Sequence, residues 1–381
     1  MKLSLSRAIA VAAALALSIV PAFAQLTING YYRVGSMTNV PKDASATMTA
    51  FQDRIRLNIS FAAPDDMFGF KARLQKDSAG NSSALVGLFT NGSVGTGAAN
   101  GVFTAGTGAP PILKYGYGYG KLLDGVAKLS AGYLDLTDYS VAENTGNYYF
   151  GNVFTDDLTG ANTGILSGQK GRFLGSALQI WPIEGLSVAA TLRTDGSAVA
   201  AHHLGFDAYY LIPGLGKAIA SSQLGVYSAT AASASDELSR SFVSGGFSYF
   251  GFPGLTATAV LRSTYSNSAA AIGAVAIVEY NAGPIFADIS TDVDFTNSHY
   301  YLEGEASYIV IPQVKVRVYG AMADAASNNI NLSLTNTLVV ANKYSVGADL
   351  VLPIGKGEIQ AGVVYGDVAN IQFPILVKAN F

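Results

Sequence analysis

The sequence predicts an all-β chain that closes into a transmembrane antiparallel β-barrel of about 18 strands, with 16 as the alternative. Three observations support this prediction. Charged residues make up only 13% of the 381 residues, about half the usual share in a globular protein. A membrane-spanning helix needs about 20 consecutive apolar residues, and the one long apolar run lies at the extreme N-terminus. Short segments that alternate between polar and apolar residues recur along the rest of the chain.

The composition excludes several other classes of protein. Hydrophobic residues at 50% and aromatic residues at 11% exclude a disordered chain. The absence of cysteine excludes a disulfide scaffold. Because 23 Lys and Arg stand against 26 Asp and Glu, the net charge is −3, and we expect no nucleic-acid partner.

The N-terminus has the three parts of a secretory signal peptide. Lys2 and Arg7 form a basic region, residues 8–20 are apolar, and residues 21–24 end in an A-x-A-like site. We therefore expect cleavage before Gln25. An uncleaved anchor helix is the alternative, but the apolar run is short for one.

The chain therefore divides into a signal peptide, residues 1–24, and one barrel domain, residues 25–381. Without its signal peptide the exported chain has no spanning helix and is still unusually apolar. Inside lipid, only helices and closed barrels satisfy every backbone hydrogen bond, so a barrel is the remaining solution. No break in composition indicates a second domain, a plug or a linker.

Alternation with a period of two residues is clearest in five segments. In each, one face is apolar and the other carries polar or charged residues, which is typical of strands in a barrel wall. The segments are residues 52–61, 68–75, 186–195, 314–320 and 344–350.

Eight short segments that contain Pro or Gly lie between strand patterns and predict tight turns. Eight such turns join nine hairpins and therefore predict 18 strands. The alternative of 16 follows if the weaker segments near Phe173 and Ala218 are not strands. The turns lie at residues 64–66, 123–125, 182–185, 213–216, 252–254, 282–284, 311–313 and 353–357.

The other connections are longer and polar. The longest predicted loops are residues 38–50, 77–111, 138–171 and 325–341. Short periplasmic turns at one end and long external loops at the other are typical of outer-membrane barrels.

The last ten residues carry the clearest resemblance to a known family. Residues 372–381 place apolar side chains at every second position and end at Phe381. This segment resembles the terminal strand of bacterial outer-membrane proteins, where the alternate apolar residues and the final aromatic are the signal read by the outer-membrane assembly machinery. Together with the signal peptide and the regular succession of hairpins, this segment makes the chain similar to a general porin-type barrel. No motif identifies a subfamily. The resemblance implies a homotrimeric, water-filled pore of 16 or 18 strands in the cell outer membrane.

If the apolar face of each strand meets lipid, the charged residues face the pore, because charge facing lipid costs about 2–4 kcal/mol for Arg or Lys at mid-membrane. Basic residues cluster on early strands and acidic residues on later ones, and we expect the two groups to face each other only approximately. The basic set is Arg33, Arg54, Arg56, Lys71, Arg73 and Lys114, with Lys128 following; the acidic set is Glu279, Asp288, Asp292, Glu303 and Glu305.

The resemblance further implies a basic ladder opposed by acids on the third external loop. Glu143, Asp156 and Asp157 are the candidates for that constriction loop, although the short acidic signature of the family is not recognisable here. A transverse field of this kind orders polar solutes and excludes apolar ones. The alternative is that these charges are merely solvated residues of the lumen.

Three tyrosines on one strand, Tyr115, Tyr117 and Tyr119, alternate with glycines. We predict that they point outward into an aromatic girdle, because Lys114 shares the glycine face and would then face the pore. The alternative is an inward column on which sugars could stack.

The sequence indicates no catalytic or metal chemistry. Its only histidines are His202, His203 and His299, and adjacent residues on a strand point to opposite faces. No G-x-S-x-G motif occurs. We therefore expect no cofactor, no metal and no enzymatic activity.

The sequence thus predicts a channel for passive diffusion of ions and small hydrophilic solutes. A substrate-selective channel for sugars or anions is the first alternative. A closed structural or adhesin-like barrel that binds ligands through its external loops is the second.

Overall fold

The computed structural model describes residues 25–41, 48–79, 93–96, 103–106, 112–135, 172–194, 202–226, 241–265, 270–296, 298–323, 344–366 and 370–381. Twenty β-strands account for most of these residues. Among the described residues, no helix is long and apolar enough to cross a membrane. The predicted signal peptide, residues 1–24, lies outside this part of the chain, so the proposed domain division stays a prediction.

Eighteen strands form one continuous antiparallel sheet. They are β1 (Gln25–Pro41), β2 (Met48–Ala62), β3 (Phe68–Ala79), β6 (Ile112–Leu122), β7 (Ala127–Asp135), β8 (Arg172–Ile180), β9 (Leu186–Thr194), β10 (His202–Ile212), β11 (Gly216–Val226), β12 (Ser241–Phe252), β13 (Leu255–Tyr265), β14 (Ala270–Ala282), β15 (Ile285–Asp294), β16 (His299–Ile311), β17 (Val314–Ala323), β18 (Tyr344–Ile354), β19 (Gly357–Gly366) and β20 (Asn370–Asn380). A separate two-stranded sheet pairs β4 (Ser93–Thr96) with β5 (Phe103–Gly106).

The large sheet closes on itself because β1 pairs with β2 on one side and with β20 on the other. The barrel strands between β1 and β20 each pair with the barrel strands before and after them in the chain, so the ring has no free edge. At the seam, Gly30 and Phe381 exchange two backbone hydrogen bonds, N to O distances of 3.1 and 3.0 Å. The prediction of 18 strands is confirmed, and the alternative of 16 is wrong.

All eight predicted tight turns are confirmed, and together they join alternate strand pairs at one end of the barrel. The turn between β12 and β13 shows why Pro and Gly occupy these positions. Pro253 supplies the negative φ of the first central position, and Gly254 adopts φ +79° at the second, which is the pattern of a type II turn.

The predicted loops differ from the structure in two places. Residues 38–50 are mostly strand, because β1 runs to Pro41 and β2 begins at Met48. Within the predicted loop 77–111, β3 continues to Ala79 and the β4–β5 hairpin is formed. The predicted loops 138–171 and 325–341 lie outside the described residues.

The two faces of the barrel wall differ in chemistry. One face exposes large apolar side chains, and the other buries polar and charged ones. We call these the outward and inward faces. The outward residues include Leu113, Leu129, Ile289, Val318 and Leu350, and the inward residues include Arg33, Arg54, Gln75, Thr191 and Asp349. On β20, Phe373, Ile375 and Val377 lie on the outward face with Phe381, as the alternation predicts.

The predicted orientation of the tyrosines on β6 is wrong. Tyr117 is only 2% exposed and packs against Leu134 and Ala177 on the inward face. The reason is a register shift between β3 and β6, where Arg73 pairs with Tyr115 but the next residue, Leu74, pairs with Leu113. This irregularity falls at Lys114, so its parity with the glycines does not continue along the strand.

Candidate functional site

Three cations lie directly side by side on the inward face, where the barrel closes. Lys378 on β20 pairs in register with Arg33 on β1, which in turn pairs with Arg54 on β2. The two arginines are each 5% exposed. Like charges directly opposite each other destabilise a sheet, so the barrel keeps this row at a cost in stability, which is typical of a functional surface.

Further cations extend this surface to β3, β6 and β7. Lys71 and Arg73 on β3 pair with Tyr117 and Tyr115, whose strand also carries Lys121, opposite Lys128 on β7. We define the basic wall as the inward Lys and Arg of these six neighbouring strands. Its members are Lys378, Arg33, Arg54, Arg56, Lys71, Arg73, Lys121 and Lys128.

Five of the six basic residues predicted to line the pore, together with Lys128, are members of this wall. The sixth, Lys114, lies at the register shift of β6, and its side chain is outside the described part. Sequence reasoning missed Lys121 and Lys378. The signal for Lys378 was present, because it lies between Val377 and Ala379 on the strand whose apolar face was already recognised.

Tyrosine rings lie beside the cations of the basic wall. The Tyr31 ring centroid is 5.8 Å from Cζ of Arg33, 5.2 Å from Cζ of Arg56 and 5.2 Å from Nζ of Lys378. A second contact joins Lys128 to Tyr119, with Nζ 5.3 Å from the ring centroid. Such cation–π contacts position a cation without cancelling its charge.

Three carboxylates form a second row of like charges. Glu279 on β14 pairs in register with Asp288 on β15, which pairs with Glu305 on β16. The Asp288 Oδ1 atom accepts a hydrogen bond from the Glu305 backbone N at 3.1 Å. We call these three residues the acidic row. The other two predicted acids, Asp292 and Glu303, lie on β15 and β16, with side chains outside the described part.

An arginine that sequence reasoning missed stands beside the acidic row. Arg317 on β17 donates from Nε to both carboxylate oxygens of Asp349, at 3.0 and 3.2 Å, and Nη2 also contacts Asp349. Its Nη1 lies 3.6 Å from Oε2 of Glu305, and Nη2 lies 3.3 Å from Oε1 of Gln360. This cation therefore lies between two carboxylates, unlike the basic wall, where Lys and Arg are next to one another.

The strand order sets the two charged surfaces on opposite sides of the ring. β3 lies nine strand steps from β14 in either direction, and β6 lies nine steps from β15. β3, β6 and β7 therefore lie directly across the ring from β14, β15 and β16, whereas β20, β1 and β2 of the basic wall are offset from the acidic row.

The remaining site predictions fall partly outside the described residues. Glu143, Asp156 and Asp157, the constriction-loop candidates, all lie there. So do the side chains of the three histidines. Within the described part of the chain, no three His, Cys, Asp or Glu side chains come close enough to hold a metal ion. The expected absence of metal and cofactor stays a prediction.

Comparison with known proteins gives structural matches alone. No protein-family model and no curated protein sequence matches this chain. A solved structure described as "Asymmetric conductivity of engineered proteins" is 14% identical, with a TM-score of 0.49. A mutant of the Rhodopseudomonas blastica porin is 13% identical with a TM-score of 0.47, and a triple mutant of that porin is 13% identical with a TM-score of 0.46. Each match covers 94% of this chain and 100% of the other.

In fold, this chain is a closed antiparallel β-barrel of 18 strands. The architecture rests on the strand pairing of the chain itself: 18 antiparallel strands, closure between β1 and β20, and tight turns at one end.

Proposed function

We propose that the chain is an outer-membrane channel for passive diffusion of ions and small hydrophilic solutes. The observation that carries the proposal is the pair of like-charged rows on the inward face. A barrel whose interior were only structural would gain stability by placing opposite charges on neighbouring strands, as with Arg317 and Asp349, rather than by pairing Arg33 with Arg54 in register. An electric field across the path of a solute would give these like-charged rows a function.

The proposed mechanism combines size exclusion with electrostatic ordering. The basic wall attracts anions and the negative ends of polar solutes, and the acidic row attracts cations and positive ends. An apolar solute is not attracted by this field, and its passage would displace the water molecules that line the wall. The pore-lining residues of this proposal are the basic wall and the acidic row, with Asp292 and Glu303 on the same strands as the row. The chain acts as a channel rather than an enzyme.

The outward face supports a location in a lipid bilayer. Large apolar side chains such as Ile289, Val318 and Leu350 are 46–51% exposed on this face, and in water such a belt would drive aggregation. In a bilayer it would contact acyl chains. Outer-membrane residence, export by the predicted signal peptide, insertion by the assembly machinery and homotrimer formation belong to this proposal.

Single-channel recording from the refolded mature chain in a planar bilayer tests the proposal. We expect stable conductance steps and a non-zero reversal potential in a salt gradient. Folding is verified separately by a β-rich circular dichroism spectrum. Folded protein without conductance would overturn the proposal and favour a closed barrel that acts through its loops.

A second candidate function, a sugar-selective channel, is favoured by the inward column of Tyr115, Tyr117 and Tyr119. The test is the ion current in the presence of neutral oligosaccharides. Concentration-dependent block of the current would support selective sugar binding. Unchanged current at high sugar concentration would instead favour a general diffusion channel.

A further inference from the structure

Two arginines on neighbouring strands share the same arrangement of one side-chain amide and one tyrosine ring. Arg73 on β3 donates from Nε to Oδ1 of Asn58 at 2.7 Å, and its Cζ lies 5.0 Å from the ring centroid of Tyr115. Arg56 on β2 donates from Nε to Oε1 of Gln75 at 2.8 Å, and its Cζ lies 5.2 Å from the ring centroid of Tyr31. Each guanidinium therefore has an amide on one neighbouring strand and a tyrosine ring on the other.

The strand register produces this repetition. Asn58 pairs with Arg73, which pairs with Tyr115, so one row across β2, β3 and β6 reads amide, arginine, tyrosine. Two residues further along, Tyr31 pairs with Arg56, which pairs with Gln75. The two arginines are consequently diagonal neighbours on the inward face.

The Arg73 row continues to β1. The Asn58 Nδ2 atom donates to Oδ1 of Asn29 at 3.0 Å, and Asn29 is the register partner of Asn58. Because Asn58 donates to Asn29, its amide orientation is set, and its oxygen points toward Arg73. Side chains from three strands, β1, β2 and β6, thus fix the orientation of one guanidinium on β3.

The chemistry of the partners determines what Arg73 can do. The amide oxygen orients the guanidinium at one edge, and the tyrosine ring orients it at one face. Neither group carries a negative charge. Arginine stays protonated at all physiological pH values. Arg73 is thus a cation whose orientation is fixed by neutral groups, whereas Arg317 is held by the carboxylates of Asp349 and Glu305.

We propose that Asn58 and Tyr115 are specificity-determining positioning residues: they hold Arg73 as a fixed, full positive charge that selects anions bearing carboxylate or phosphate groups. Fork-like binding of these groups is the recognition to which a guanidinium is suited. The inference rests on the proposed channel function, and it assigns the selectivity to one oriented group and its neutral supports rather than to the number of charges in the barrel.

The test compares two isosteric substitutions that add the same charge to the same row. Asn58→Asp places a carboxylate at Nε of Arg73, whereas Asn29→Asp places one on β1, without contact to the guanidinium. Arg73→Gln serves as the reference for loss of the cation. The measurements are the chloride to potassium permeability ratio in a salt gradient, and the concentration of inorganic phosphate that halves the chloride current.

We expect Asn58→Asp to lower the permeability ratio about fourfold, because one added negative charge acting across roughly 10 Å of water lowers chloride permeability and raises potassium permeability by about a factor of two each. We expect it to raise the half-blocking phosphate concentration as much as Arg73→Gln does. Asn29→Asp should raise that concentration less. Equal phosphate effects of Asn58→Asp and Asn29→Asp would overturn the inference, because charge count alone would then explain selectivity.

A second pair of variants tests the tyrosine. Tyr115→Leu removes the ring and should weaken phosphate block more than Tyr115→Phe, which keeps it. Equal effects of the two variants would contradict a role for the ring. Conductance steps in every variant verify that the barrel is folded and open. Absence of conductance in the unmodified chain would instead refute the channel function itself, so the two failures are distinguishable.

Discussion

Arg317 and Asp349, on adjacent strands of the barrel, form an ion pair in which Nε of the arginine contacts both carboxylate oxygens, at 3.0 and 3.2 Å. Asp349 is only 3% exposed. Removing one partner of such a pair leaves a charge with poor solvation. The pair therefore contributes to the stability of the wall between β17 and β18.

We expect Asp349→Asn to lower the free energy of unfolding by about 2 kcal/mol, because hydrogen bonds to charged groups are worth about 1.5–3 kcal/mol. Urea unfolding of the barrel in detergent or vesicles measures this change. The matched control is Glu358→Gln, which makes the same chemical change at a 3.8 Å pair with Lys378 that is about 30% exposed. It should cost about 1 kcal/mol or less. Equal losses in both variants would contradict the assigned role of Asp349.

Gly347 is required by the ring that covers it. Tyr319 is the register partner of Gly347 and is 5% exposed. A Cβ at position 347 would lie 2.7 Å from Cζ of Tyr319, inside van der Waals contact. We expect Gly347→Ala to displace the ring and to destabilise the barrel by about 1–3 kcal/mol, as overpacking does.

The control for Gly347→Ala is Gly118→Ala, also within a strand. There the nearest atom to an added Cβ is the Gly69 carbonyl oxygen, at 3.9 Å. Gly118→Ala should be neutral or stabilising by about 0.5–1 kcal/mol, because alanine has less backbone freedom to lose. Urea midpoints of both variants measure the difference, and a larger loss for Gly118→Ala would refute this packing.

The inward orientation of the β6 tyrosines is open to direct chemical test, because the chain contains no cysteine. A single cysteine at position 119 should react with a charged, water-soluble maleimide and should escape quenching by brominated lipid when labelled. A single cysteine at position 118 should behave in the opposite way. The substitutions are Tyr119→Cys and Gly118→Cys, and reversal of the two patterns would restore the outward orientation that the sequence suggested.

Asp66 links the first tight turn to β6. Its carboxylate accepts a hydrogen bond from the Tyr119 hydroxyl at 2.9 Å and pairs with Lys121. The hydrogen bond from Lys121, followed by the one from Tyr119, lowers the pKa of Asp66 below its ordinary value. A carboxyl whose folded pKa is lowered stabilises the fold above its unfolded pKa, and this stabilisation is lost as pH falls through the folded pKa.

We therefore expect Asp66→Asn to reduce stability at pH 7 by less than about 1 kcal/mol, since the Asp66 side chain is 53% exposed. The difference from the unmodified chain should fade below about pH 4, the ordinary range of an aspartate. Unfolding free energies of the two proteins measured from pH 7 downward provide the test. A difference that persists at pH 2 would show that the carboxylate charge is not its source.

Local patterns in the sequence predicted much of the barrel. Alternation specified which residues of β2 and β20 lie on which face, and Pro and Gly specified all eight tight turns. Arg33, Arg54, Arg56, Lys71 and Arg73 could be assigned to the inward face in the same way. These features depend on neighbours one to four residues apart, so they are visible in the chain itself.

The tyrosines of β6 show where local patterns fail. Their orientation depends on a register shift opposite Arg73 and Leu74, residues more than thirty positions away in the chain. Parity counted from Lys114 therefore gave the wrong face. Likewise, the ion pair of Arg317 with Asp349 joins residues 32 positions apart, and no local sequence pattern identifies them as partners.

The sequence by itself determined the architecture: strands, tight turns, an apolar outer belt and a polar inner face, because strand periodicity and turn chemistry are local properties. Only the tertiary structure decided which charges meet. Closure of β20 on β1 placed Lys378 beside Arg33, and the order of 18 strands set β3, β6 and β7 of the basic wall opposite the acidic row. Pairing between distant strands has no signature in a single chain, since its free energy comes from contacts that exist only once the ring has closed.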